Sequence, residues 1–120
     1  IETSTPLKAA KNIGKPTKVL RGKSWVDGIG SNSVLEEMWP LLNSLVDDIV
    51  TVSHQETALA MQILDNKLSL ISEGAGAVAV AAGLRPEFSG TKTVSIISGG
   101  NIDRNTHAEI IAGNYNYNLN

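Results

Sequence analysis

Short apolar runs alternate along this chain with segments of helical periodicity. Three of the runs are rich in β-branched and aliphatic residues, which is typical of buried strands. These runs cover 48–52, 69–71 and 93–97. The helical patterns cover 6–13, 57–66, 73–84 and 102–112. Because strands that alternate with helices favour right-handed βαβ units, the pattern predicts an α/β protein in three layers: a parallel β-sheet with helices on both faces.

Two of the predicted helices have clear boundary signals. The first has Thr3 or Ser4 available as its N-cap, and Gly14 follows its last residue. Ser53, with Glu56 three residues later, forms a capping-box pattern in front of the helix that follows. These local signals fix the starts of two elements before any tertiary contact is considered.

Composition narrows the class of protein. The chain has 120 residues, 42% of them hydrophobic and 18% charged, which indicates one globular domain. The formal net charge of −2 gives no electrostatic footprint for nucleic acid or an anionic membrane, and no apolar run reaches the length of a membrane span. The absence of Cys excludes disulfides and thiolate chemistry. Ile1 begins a segment without signal-peptide features, so we expect a piece of a longer chain; residues 113–120 are predicted to be a frayed tail.

Two segments place reactive side chains where a parallel sheet would expose them. Ser98 and the glycines after it follow the run 93–97, and α/β proteins bind ligands at the carboxyl ends of their strands. Glu73 opens an Ala- and Gly-rich helix, whose N-terminal dipole stabilises a carboxylate and whose small residues allow close packing. A strand-to-helix turn and a small-residue packing helix explain the same residues without a ligand. The glycine-rich loop 26–30 is weak evidence for phosphate binding.

The remaining candidates favour structural roles. His54 and His107 lie at exposed-looking helix starts without a paired-histidine spacing, so no metal site is predicted there. Trp25 and Trp39 are interpreted as core anchors rather than stacking platforms.

Taken in order and spacing, four segments resemble those of the fold type II pyridoxal-phosphate enzymes, and most closely the threonine/serine dehydratase and serine racemase branch. The segments are 26–29, 45–53, 73–77 and 98–103. The resemblance runs from Glu2 to about Asp103. It implies part of the cofactor-binding large domain of the tryptophan-synthase-β-like fold, with residues 1–120 as a single-domain fragment from the C-terminal part of the catalytic domain.

The resemblance also implies pyridoxal 5′-phosphate as cofactor and assigns five residues to it. Ser98 is expected to hydrogen-bond the pyridine nitrogen, and Glu73 to lie beside the ring. The backbone at Gly28, Ile29 and Gly99 is expected to pass close to the ring. A hydroxyl does not keep the ring nitrogen protonated as a carboxylate does, which suits elimination of water from a hydroxy amino acid.

Other family features have no counterpart in the sequence. Lys23 does not match the context of the family's Schiff-base lysine, and no phosphate-binding run of glycines is present. We therefore predict no catalytic residue in this chain and expect it to be inactive by itself. Glu2 stands at the position of a family divalent-cation ligand, but Lys8 replaces a carboxylate of that set, so no metal is predicted.

The function implied by the resemblance is that of a cytoplasmic ammonia-lyase of amino-acid metabolism. Such an enzyme converts L-threonine or L-serine to a 2-oxo acid and ammonia. The chain would then act with the missing N-terminal part of the enzyme, on an amino-acid substrate and as a homo-oligomer, without nucleic acid or membrane. Two alternatives stay open: a racemase of serine, and a stand-alone, non-catalytic module that binds a small molecule or a protein partner.

Overall fold

Five α-helices and two 3₁₀ turns make up the regular structure of residues 1–114, the part of the chain that the computed structural model describes. The helices are α1 (Pro6–Ile13), α2 (Trp39–Leu45), α3 (His54–Leu68), α4 (Gly74–Gly83) and α5 (Arg104–Ile111). The 3₁₀ turns are Glu36–Met38 and Pro86–Phe88. No helix within residues 1–114 has the length and apolarity needed to cross a lipid bilayer. The tail predicted at 113–120 lies mostly outside the described residues.

Helix α1 has the predicted bounds but a different cap. Its N-cap is Thr5, whose side chain makes no capping hydrogen bond, rather than Thr3 or Ser4. The Ser4 hydroxyl instead donates to the carbonyl oxygen of Ser31, at 2.8 Å, so it is engaged by the loop and not by the helix. Gly14 ends α1 in the left-handed conformation, with φ of 82°.

Helix α3 begins with the capping box that the sequence predicts. The Ser53 hydroxyl accepts a hydrogen bond from the backbone N–H of Glu56 at 3.1 Å, and the Glu56 carboxylate accepts one from the N–H of Ser53 at 2.7 Å. The helix runs to Leu68, and Ser69 ends it in the left-handed conformation, with φ of 51°.

The hydrophobic core lies between α3, α4 and α5. Its buried members are Val52, Ala60, Met61, Leu64, Ala77, Ala81 and Ile110. Helix α4 is only partly enclosed, since four of its ten residues are fully buried. Arg85, just after α4, donates to the Glu56 carboxylate at 2.7 Å and to the carbonyl oxygen of Thr51, which ties the end of α4 to the start of α3.

The strands predicted at 48–52, 69–71 and 93–97 are not formed within residues 1–114, so the parallel sheet and its three layers are not confirmed. The first part of 69–71 closes α3, because the N–H groups of Ser69 and Leu70 bond to carbonyl oxygens of that helix. In the run 93–97, Val94 and Ile96 are 89% and 71% exposed. β-Branched residues favour a strand only where a neighbouring strand covers them.

Candidate functional site

The N-terminus of α4 meets the backbone of the Ser98–Gly99 segment directly. The N–H of Glu73 donates to the carbonyl oxygen of Gly99 at 3.0 Å. Gly76, in the first turn of α4, packs directly against this backbone, because a Cβ at residue 76 would lie 2.5 Å from the carbonyl oxygen of Gly99. The small residues of α4 therefore allow the close approach expected from the sequence, although the backbone that they approach is not part of a strand.

Glu73 brings together three of the segments singled out in the sequence. A Cβ at Gly99 would lie 2.5 Å from Oε1 of Glu73. A Cβ at Gly28 would lie 3.2 Å from the same oxygen and 2.8 Å from the Cβ of Ala75. The carboxylate thus lies between two stretches of bare backbone that no side chain could occupy without displacement.

A cavity of about 270 Å³ adjoins the Glu73 backbone. It is lined by Trp25, Asp27, Glu73, Gly74, Asn101, Ile102, Asp103 and Thr106. Asp103 caps α5, and its Oδ1 accepts from the N–H groups of Asn105 and Thr106 at 3.0 and 2.9 Å. The Thr106 N–H is the main reason why the pKa of Asp103 is lowered, so this wall of the cavity is anionic at neutral pH.

Ser98 is exposed, is not among the residues that line the cavity, and makes no hydrogen bond through its hydroxyl within residues 1–114. The helix that follows is capped by Asp103, five residues later. Helix capping therefore does not explain Ser98. Ile29, next to Gly28, is half-buried.

Sequence reasoning missed two walls of the cavity. Trp25 was interpreted only as a core anchor; it does pack against the core, but it also lines the cavity. Asp27 received no role, although it stands inside the motif 26–29. Trp39, the other expected anchor, is half-buried.

Both histidines also differ from expectation. His54 is 5% exposed rather than exposed, because Glu2 and Ser24 bind its two ring nitrogens. His107 lies in the middle of α5 and its Nε2 is buried without a hydrogen-bond partner among the described residues. Within residues 1–114, no group of three or more His, Cys, Asp or Glu side chains is arranged to hold a metal ion.

Residues 1–99 match the family described as pyridoxal-phosphate dependent enzyme. This chain belongs to that family. The L-threonine ammonia-lyase of Geobacter sulfurreducens is 39% identical over 101 residues, which cover 82% of this chain and 25% of that protein. The L-threonine ammonia-lyase of Thermotoga maritima is 37% identical over 105 residues, which cover 87% of this chain and 24% of that protein. The chain thus spans about a quarter of the length of these curated relatives.

Solved structures of the family show the same fold. The T.th. threonine deaminase superposes with a TM-score of 0.77 at 28% identity, over 85% of this chain and 37% of that one. Maize serine racemase superposes with a TM-score of 0.79 at 26% identity, over 95% of this chain and 38% of that one. The neighbours are fold type II pyridoxal-phosphate enzymes, and the fold of this chain corresponds to part of theirs.

Proposed function

We propose that this chain is part of a pyridoxal-phosphate-dependent ammonia-lyase that eliminates water from L-threonine or L-serine, giving a 2-oxo acid and ammonia. The observation that carries the proposal is the position of Glu73 between the bare backbone of Gly28 and Gly99, beside the exposed hydroxyl of Ser98. The L-threonine ammonia-lyases among the relatives support the choice of reaction. The relatives' greater length supports the view that other parts of the enzyme complete the site.

The residues present fit the ring end of the cofactor. A flat ring needs backbone without side chains along its face, and Gly28 and Gly99 carry none; the Glu73 carboxylate now fills the space beside both, so it would move aside to admit the ring. We assign Ser98 to the pyridine nitrogen, and Gly28, Ile29 and Gly99 to the backbone along the ring. Pyridoxal phosphate, when bound, supplies an electron sink that makes the α-hydrogen of an amino acid acidic.

The charges of the chain's own groups affect how strongly the bound cofactor withdraws electrons. Ser98 offers the ring nitrogen a neutral hydroxyl, which leaves the nitrogen less basic than an aspartate would and makes the sink milder. Glu73 is the N-cap of α4, so the N-terminal end of the helix dipole lies beside it. None of the residues lining the cavity is a lysine, so we assign the covalent attachment of the cofactor to another part of the enzyme.

The proposal extends to the architecture of the whole enzyme. We propose that residues 1–120 form a single unit, the C-terminal part of its catalytic domain. In that domain, 48–52, 69–71 and 93–97 would lie as parallel strands between layers of helices. The support is the apolar character of these runs together with the exposure of Val94 and Ile96, which further strands would cover.

The test compares Ser98→Ala with Ser89→Ala in the whole enzyme, since both serines are exposed. Loss of one neutral hydrogen bond costs about 1 kcal/mol, so Ser98→Ala should weaken cofactor binding about fivefold in an absorbance titration. The melting temperature of the cofactor-free protein should not change, because Ser98 caps no helix. Equal cofactor affinity in the two variants would remove Ser98 from the site.

Serine racemisation is the second candidate, because maize serine racemase is among the structural neighbours. The two reactions start from the same amino acid and differ in product. Incubation of the whole enzyme with L-serine should give pyruvate and ammonia if it is a lyase. Chiral chromatography that shows D-serine as the main product would favour the racemase.

A further inference from the structure

Three side chains far apart in the sequence form one continuous chain of hydrogen bonds. Nδ1 of His54 lies 2.8 Å from Oε1 of Glu2, and the backbone N–H of His54 donates to the same oxygen at 2.9 Å. Nε2 of His54 lies 2.8 Å from Oγ of Ser24. His54 is the first residue of α3 and is 5% exposed, so its ring orientation is fixed by its surroundings. We call these three residues the relay.

Donor counting assigns the hydrogens of the relay. Oε1 of Glu2 already accepts from the backbone N–H of His54, and a carboxylate oxygen in this position acts as the acceptor for the ring nitrogen as well. Nδ1 of His54 therefore carries a hydrogen. The Ser24 hydroxyl has one hydrogen and two acceptors within reach, Nε2 of His54 at 2.8 Å and the carbonyl oxygen of Val26 at 3.3 Å, and in the neutral ring it donates to the nearer one. The same Oγ accepts from the backbone N–H of Val26 at 3.0 Å, which connects the relay to the backbone of residues 24–26.

The Ser24 end of the relay is followed directly by Trp25, which lines the cavity. Val26 is fully buried, and the Trp25 ring centroid lies 5.9 Å from that of His54. Both side chains pack tightly against the start of α4, because a Cβ at Gly74 would lie 2.6 Å from Cζ3 of Trp25 and 2.8 Å from Cγ2 of Val26. The next residues along the chain are Asp27, in the cavity wall, and Gly28, which adjoins Glu73.

We propose that the relay Glu2–His54–Ser24 is a positioning device for the cofactor site, because it locks the turn 24–26 and thereby sets the distance of Trp25 and Gly28 from Glu73. None of the three relay residues is among those that line the cavity, so they act through the loop. This inference rests on the proposed function, because the site that it positions is the one assigned there to pyridoxal phosphate.

A serine, a histidine and a carboxylate in this order are also the groups of a serine hydrolase. The geometry favours positioning, since the Ser24 hydroxyl accepts from the Val26 N–H and lies within a turn that it closes on itself. The two roles differ in one measurable respect. A nucleophilic Ser24 would be labelled by a fluorophosphonate, and the labelling would be lost in His54→Gln; this outcome would overturn the positioning role.

The main test uses Ser24→Ala in the whole enzyme, with Ser24→Thr as the conservative rescue. Ser31→Ala is the matched control, because Ser31 lies in the same loop and its exposed hydroxyl donates to the Ser33 carbonyl oxygen. Hydrogen exchange of the Val26 amide, measured without cofactor, should accelerate about fivefold in Ser24→Ala and return in Ser24→Thr. Cofactor affinity should follow the same order, weakened about fivefold and then restored. Ser31→Ala should change neither.

The two readouts separate the failure of the relay from that of the proposed function. Unchanged exchange at Val26 in Ser24→Ala overturns the relay. Faster exchange with unchanged cofactor affinity shows that the relay is only structural and overturns the positioning role. If the wild-type enzyme binds no pyridoxal phosphate, the proposed function fails and the positioning role fails with it, whereas the exchange data still decide whether the relay holds the loop.

Discussion

Replacing Gly76 with alanine tests the close contact on which the site depends. Gly76 lies inside α4, and its missing side chain leaves room for the backbone of Gly99. A Cβ at residue 76 would lie 2.5 Å from the carbonyl oxygen of Gly99 and 2.9 Å from its nitrogen. Both are backbone atoms, so the clash is relieved only when α4 and the 98–100 segment move apart.

Two opposing terms set the size of the effect. Alanine is favoured over glycine inside a helix by about 0.5–1 kcal/mol. Overpacking against atoms that do not rotate away costs about 1–3 kcal/mol. Because the 2.5 Å contact is with backbone atoms, we place the cost in the upper part of its range, about 2–3 kcal/mol. We therefore expect Gly76→Ala to lower the free energy of unfolding by about 1–2.5 kcal/mol, which corresponds to roughly 4–10 °C in melting temperature for a chain of this length.

Urea denaturation followed by circular dichroism measures this change, and Gly83→Ala is the matched control in the same helix. A Cβ at Gly83 would lie 2.9 Å from the Ser95 hydroxyl oxygen, which can rotate away by giving up its hydrogen bond to the Ala79 carbonyl oxygen. The loss of that hydrogen bond, about 1 kcal/mol, offsets the gain in helix propensity. The control should change stability by less than about 0.5 kcal/mol. If Gly76→Ala were as stable as the control, or more stable, the gain in helix propensity would exceed the cost of overpacking. The contact between α4 and Gly99 would then not be as tight as described.

Three further outcomes are expected. Ser53→Ala should lower the free energy of unfolding, measured in urea, by about 1 kcal/mol, because α3 loses half of its capping box. The control Ser44→Ala, at an exposed position in α2, should have little effect, and equal losses in the two variants would contradict the capping role. Arg85 is the main reason why the pKa of Glu56 is held at about 2, below its ordinary value of 4.5. The contribution of this ion pair to stability is therefore complete above pH 4.5 and is lost as the pH falls through 2. Glu56→Gln should flatten the curve of stability against pH in that window, and a curve parallel to that of the wild type would count against the pair. With pyridoxal phosphate added, the chain should convert L-threonine to 2-oxobutanoate no faster than the free cofactor does, because no lysine lines the cavity. Faster turnover would show a catalytic base within the chain.

Features encoded by neighbouring residues could be predicted from the sequence. The capping box needs only Ser53 and Glu56, and the end of α1 needs only Gly14, so both follow from local spacing. The meeting of Glu73 with the glycines at 28 and 99 was accessible only through the resemblance to a family, since no local pattern joins residues so far apart.

Features that depend on distant partners escaped the sequence. The predicted strands needed neighbouring strands that residues 1–114 do not provide, and their apolar side chains are left exposed. His54 looked like an exposed residue at a helix start because its partners, Glu2 and Ser24, lie 52 and 30 residues away. A polar residue at a helix start gives no sign of whether solvent or a remote side chain satisfies it.

The exposed run 93–97 has a consequence for the behaviour of the chain in solution. Val94, Ile96 and Ile97 are uncharged and exposed, and the run contains no proline. Its backbone groups pair with no other backbone group within residues 1–114. Such a segment is a template for intermolecular strand pairing, which leads to aggregation as the protein concentration rises. The segment that leads to Ser98, which we assign to the cofactor, is therefore also open to self-association until other strands cover it, so we expect the yield of folded protein to depend on when those strands become available.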